Sequence, residues 1–237
     1  MKKLRFALLV GAVMLEVGCG LPDSYFLQPP ASTARASPTL SSFTFSNPAH
    51  DLNHDINVNF SGDELYYKLY SNSALVEVNA YDPSNSADAS TQLTNKGFFP
   101  ICLATDRVGT RTDPVIPIDS STAAAGSSIT VYINQPPGSG ALSYYVLGSA
   151  SVPFVRDAVN TNDPTKYKTF QQNNQTDGTA AGNGFAGVDT DFAAIQANTF
   201  TQFIYVAWYA MSFGYTLTST PVRSTAVYLG YNAIPYP

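Results

Sequence analysis

The sequence predicts an all-β chain, folded as an antiparallel sandwich or barrel. Three observations carry that expectation. From Phe43 onward, short apolar or aromatic runs alternate with clusters of Gly, Pro, Asn, Asp and Ser. Helical periodicity is scarce throughout. The run Phe203–Met211 is apolar on both faces, with Ile204, Val206, Trp208 and Ala210 opposite Phe203, Tyr205, Ala207, Tyr209 and Met211. Such a strand belongs in the middle of a sheet with something covering each side.

Taken in order, the strand candidates are SFTFSN (42–47), INVNF (56–60), ELYYKLYS (64–71), ALVEVNAY (74–81), GFFPICLAT (97–105), SITVYIN (128–134), ALSYYVLGS (141–149), FIYVAWYAMS (203–212) and AVYLGY (226–231). In Glu64–Tyr70, Leu65, Tyr67 and Leu69 share one face and Tyr66, Lys68 and Tyr70 the other, which predicts one buried and one partly wet face. Tyr66 and Tyr70 are read as sheet-face aromatics rather than an exposed ligand platform. Two short helices are expected. One falls in 84–96, capped by Ser84 or Ser86, and the other in 191–196, capped by Thr190. Asn160–Gly187 is amide- and Gly-rich and reads as a long loop, as does Asp106–Ala125 with Arg107 and Arg111.

The N-terminus has a different texture. Lys2, Lys3 and Arg5 precede an apolar run, Phe6–Val13, too short to span a bilayer, and Gly18-Cys19 follows. This is an export signal, and it resembles that of bacterial lipoproteins, whose cysteine is acylated and becomes the new N-terminus after cleavage. Glu16 stands where that family has an apolar residue, a looser form carried by spirochaete lipoproteins. The resemblance implies a signal peptide at 1–18, lipid on Cys19, and a location in the cell envelope, at the outer membrane in preference to the inner. Residues 20–41, rich in Pro, Ser and Ala, read as a tether that continues from Cys19. A coil of about 20 residues spans roughly 25 Å.

Removing residues 1–18 takes away three of twelve basic and one of seventeen acidic residues, leaving nine against sixteen and a formal charge of −7. Nucleic acid is therefore not expected as a partner, because a binder of phosphate backbones needs a basic face. Membrane attachment would rest on the lipid, worth about 0.8 kcal/mol per buried methylene. With Cys19 acylated only Cys102 remains, so no intramolecular disulfide is expected, and Cys102 reads as a buried thiol.

Two segments, Phe60–Tyr70 (FSGDELYYKLY) and Ile204–Gly214 followed by Ser224–Gly230 (STAVYLG), resemble strands C, F and G of fibronectin type III modules, a branch of the Ig-like sandwiches. The resemblance implies a sandwich over 42–237. About 135 residues separate Lys68 from Ile204, which implies an insertion over roughly 75–200. The Trp that such modules carry on strand B is absent here.

Little in the sequence points to catalysis. His50, Asp51, His54 and Asp55 cluster in AHDLNHD and are weak metal candidates. A calcium loop needs Gly at its sixth position and Glu at its twelfth, and Ile56 and Gly62 stand there. A solvated turn is the expectation, with no cofactor. Gly182, Gly184 and Gly187 match G-x-G-x-x-G without the strand that a dinucleotide site requires before it. Glu64 and Glu77 are the two Glu of the mature chain, each in an expected strand. A carboxylate-dependent glycan-processing enzyme is the weakest of three readings. A periplasmic solute- or glycan-binding lipoprotein ranks above it. The leading expectation is a non-enzymatic, lipid-anchored envelope protein, structural or adhesive, that meets a protein or glycan partner through its loops.

Overall fold

The computed structural model describes residues 26–47, 58–83, 88–106, 112–118, 127–133, 143–156, 169–170, 190–196 and 202–235. It is all-β, a curled and mostly antiparallel sheet with few helical turns. The strands are β1 (Ala31–Ala34), β2 (Ser42–Ser46), β3 (Val58–Tyr70), β4 (Phe99–Leu103), β5 (Ile116–Pro117), β6 (Ser128–Tyr132), β7 (Ser143–Leu147), β8 (Ala150–Arg156), β9 (Phe203–Thr216), β10 (Pro221–Arg223) and β11 (Val227–Pro235). Their order is β1-β2-β6-β7-β8-β4-β3-β9-β10, with β11 also paired to β9 and β5 to β3.

The long antiparallel pair β3 and β9 organises the rest, in register from Val58 opposite Thr216 to Tyr70 opposite Tyr205. Val58–Phe60 of the second candidate and Glu64–Tyr70 of the third thus belong to one strand, bulged between Phe60 and Gly62. β4 turns the corner of the sheet. Phe99 and Pro100 pair with Tyr67 and Tyr66 of β3, and Ile101–Leu103 then pair with β8. The curl brings the sheet's ends together: the Ala36 N–H donates to the Leu229 carbonyl at 2.7 Å, and Ala36 forms a parallel bridge with Gly230. Gly230 makes this approach possible. Its φ is +99°, and a Cβ there would lie 2.3 Å from the Ala36 carbonyl oxygen.

Inside the curl, Trp208 packs its ring 5.4 Å from Phe43 and 5.2 Å from Phe170, centroid to centroid. Its indole N–H donates to Asn232 Oδ1 at 3.0 Å, and Asn232 Nδ2 donates to the Leu40 carbonyl at 2.6 Å. A buried polar side chain is tolerated here because each end of its amide has a partner. Ile204, Val206, Trp208 and Ala210 face this core, together with Leu65, Tyr67 and Leu69 of β3. Ala207, Tyr209 and Met211 bury on the opposite face with Tyr66 and Tyr70. The two-sided burial expected of β9 is present.

Of the partly wet face expected of β3, Lys68 alone is partly exposed and Tyr66 and Tyr70 are buried. Tyr66 is 2% exposed and Tyr70 5%, because Val76, Ala80, Ala89, Leu93 and Phe98 pack over them. This cover includes ALVEVNAY, which forms a 3-10 turn at Ser73–Leu75 and then no strand. Its contacts are made without a ladder: Ala80 is buried on the sheet with Val76 and Tyr81 packed beside it, while Leu75 and Val78 stay exposed, and the Ala80 N–H donates to Tyr209 Oη at 3.0 Å and the Tyr209 hydroxyl to the Val78 carbonyl at 2.8 Å. Helix α1 (Ala89–Asn95) then adds Leu93. Its N-cap is Asp88, whose Oδ1 accepts from Thr91 N at 2.9 Å, where Ser84 or Ser86 was expected. The second helix, α2 (Thr190–Gln196), includes Thr190 rather than starting after it. β1, β5, β8 and β10 carry no clear signal in the sequence. β1 lies within the stretch read as a tether, and Leu27 just before it is 2% exposed.

Candidate functional site

A guanidinium taken out of water needs an opposite charge and hydrogen-bond acceptors around it. Arg156 ends β8 directly after the apolar Pro-Phe-Val and is fully buried. Its Nη1 meets Asp191 Oδ1 of α2 at 2.5 Å, its Nε donates to the Thr169 carbonyl at 3.0 Å, and the group sits 5.5 Å from the Phe170 ring centroid. Asp191 Oδ2 accepts from the Tyr67 hydroxyl at 2.7 Å. β3, β8 and α2 are thereby tied at one point. Beside it lies a cleft of about 490 Å³ lined by Lys68, Asn95, Lys96, Phe99, Asp191 and Ile195, among others. Lys68 is committed to Glu77 at 3.0 Å and to the Lys96 carbonyl at 2.7 Å. Since both Asp191 oxygens accept from donors, this carboxylate shapes the cleft wall rather than standing ready as a base.

On the outer face, Glu64 receives Arg223 in two bonds, Nε to Oε2 at 2.7 Å and Nη2 to Oε1 at 2.9 Å. The Tyr66 hydroxyl adds a bond to Glu64 Oε2 at 2.9 Å. Burial, reinforced by the Glu64 charge, holds the Tyr66 hydroxyl well above the usual phenol range. Burial alone would lower the Arg223 pKa, but the bonded carboxylate outweighs it and raises it. A second cleft, about 390 Å³, adjoins this pair and is lined by Asp88, Thr216, Thr218, Thr220 and Arg223 with two neighbours. It offers hydroxyls with one charge of each sign.

A third polar group is buried at the end of β2. The Asn47 side-chain amide donates to Asp63 Oδ2, and Ser212 lies opposite Asp63 in the β3 and β9 register. Burial drives the Asp63 carboxyl up to about 8, against the lowering effect of the Asn47 hydrogen bond.

The sequence-predicted site residues are placed unevenly. Cys19, His50, Asp51, His54 and Asp55 lie outside the described residues, as do Gly182, Gly184 and Gly187. Among the described residues no three of His, Cys, Asp and Glu gather as a metal would require, and no helix is long and apolar enough to cross a membrane. Glu64 lies in β3, whereas Glu77 follows the 3-10 turn outside any strand. Asp106, at the base of one expected loop, ties it down: its carboxylate accepts from Leu103 N at 2.9 Å and from Thr112 Oγ1 at 2.7 Å. Cys102 is a fully buried thiol. Arg156, Asp191, Asp63 and Arg223 were not singled out from the sequence. The available signals were a lone Arg closing an apolar run and adjacent carboxylates, Asp63-Glu64, in an alternating strand, where one side chain has to point inward.

No family model, no curated protein and no solved structure matches this chain.

Proposed function

We propose that this is a lipid-anchored protein of the cell envelope: a non-enzymatic, fibronectin type III-like sandwich held by acyl chains on Cys19, structural or adhesive in role, with its loops meeting a protein or glycan partner. The observation that carries the reading is the N-terminal signal ending in Gly18-Cys19. The strand neighbours support the sandwich: β9 lies between β3 and β11, as F lies between C and G, and β2 lies beside β6, as B lies beside E. The start of the domain fits an anchor close by. Leu27 is buried and the Gln28 carbonyl accepts from Ser212 Oγ at 2.6 Å, so eight residues separate Cys19 from the sheet. Fully extended they reach no more than about 28 Å. The domain would then sit close against the headgroups.

The test is Cys19→Ser in the full chain, with membrane fractionation. Wild type should sediment with membranes, and the variant should be released or remain unprocessed. A variant that is cleaved and still membrane-bound ends the lipoprotein reading. The 490 Å³ cleft favours a second reading, a solute- or glycan-binding lipoprotein. A thermal shift with small neutral or anionic sugars, absent in Lys96→Ala, would favour that role over adhesion.

A further inference from the structure

Asn47 and Asp63 are 2% and 0% exposed, and their side chains meet through the bond from Asn47 Nδ2 to Asp63 Oδ2. The other two oxygens of the pair, Asn47 Oδ1 and Asp63 Oδ1, are both buried acceptors with no donor. Two such orphans on one facing pair are costly, since each forfeits its hydration without a replacement. Among the described residues, none is placed to give them a compensating charge. The residue just after β2 is Asn47, β5 contributes Ile116 in register with Asp63, and β9 contributes Ser212, whose hydroxyl hydrogen goes to the Gln28 carbonyl at 2.6 Å. The charge acting on Asp63 is that of Glu64, which has the same sign, and Arg223 is committed to Glu64. One proton on Asp63 Oδ1 resolves this. It supplies the hydrogen that Asn47 Oδ1 lacks and closes a ring in which acid and amide each give one hydrogen and take one.

We infer that Asp63 is a proton-dependent latch: as a neutral carboxylic acid it holds the end of β2 against the paired β3 and β9, and its ionisation opens that contact. The burial that raises the carboxyl from 3.8 to about 8 acts in the same direction. For a group whose folded pKa lies above its unfolded value, the stabilisation is complete below the unfolded pKa and is lost as pH rises through the folded one. The latch therefore weakens between about pH 4 and about pH 8 and is open above that. This is opposite to the usual paired carboxylate, which fails in acid.

The deciding experiment is urea unfolding of the protein across about pH 5 to 9, followed by emission of Trp208, together with carboxyl carbon NMR of the native protein. Wild type should lose midpoint steadily as pH rises, Asp63→Asn should hold its midpoint because its amide replaces the missing donor, and one aspartate carbon should titrate near neutrality or above. The inference is overturned if Asp63→Asn keeps the wild-type pH slope, or if every aspartate titrates below about pH 5. It is also overturned if calcium or sodium restores the wild-type midpoint at high pH, since a cation rather than a proton would then fill the gap. Should Asp63→Asn fail to fold, the wild-type carboxyl titration decides alone.

Discussion

Removing the carboxylate of Asp191 should be among the most damaging single changes in this fold. Arg156 is 0% exposed at its side chain and Asp191 4%, so Asp191→Ala takes the bonded carboxylate from an interior guanidinium and leaves it beside the Thr169 carbonyl and the Phe170 ring. Breaking a buried pair from one side costs about 3–5 kcal/mol. The Tyr67 hydroxyl also loses its bond to Asp191, a loss of about 1–3 kcal/mol by itself that overlaps with the first. We expect a total of about 4 kcal/mol, a large share of the roughly 5–15 kcal/mol that holds a domain together. Urea unfolding followed by Trp208 emission measures it directly, because Trp208 is the one tryptophan of the chain and its ring lies 5.2 Å from Phe170. The double variant Arg156→Met with Asp191→Leu should recover to within about 2 kcal/mol of wild type, since it removes both charges and keeps the volume. A loss below about 1 kcal/mol in Asp191→Ala, or a double variant no better than the single, would refute the picture of a dry and mutually dependent pair.

Two further outcomes follow from the same structure. Gly230→Ala should cost on the order of 1–3 kcal/mol and expose the Ala36 amide to hydrogen exchange, while Gly148→Ala, at φ +60° with nothing near its Cβ position, should cost only about 1–2 kcal/mol; equal costs would mean that the close approach to Ala36 is not rigid. Cys102 should resist thiol reagents in the native protein and react fully in urea, and rapid native labelling would place it outside the core.

The legible parts of the fold were those where side-chain pattern and burial agree. Phe203–Met211 has no polar residue on either face, so its central position followed from composition alone. ALVEVNAY has the residues of a strand, yet the sheet beneath it already has its ladder partners, and Val76, Ala80 and Tyr81 serve instead to cover Tyr66 and Tyr70 while Leu75 and Val78 stay exposed. β8 was hidden by Pro153 in its middle, and β1 by the Pro, Ser and Ala around it. The buried polar groups were the least legible. Arg156 and Asp191 stand 35 residues apart and meet only through the tertiary fold, and a single buried charge has no period to reveal it. Asn47 closed the strand candidate SFTFSN with no sign of a partner, and only its depth shows that it faces a carboxyl.

The bridge between Ala36 and Gly230 joins points 194 residues apart, and β3 finds β9 across more than a hundred residues. Contacts of such separation form late, because the loop they close must first be drawn in. The N-terminal edge therefore has no strand to seal against until the last one has been made. A chain threaded through a pore from its N-terminus would keep that edge unsealed until β11 had followed it. The curl would lock only once β11 reaches Ala36.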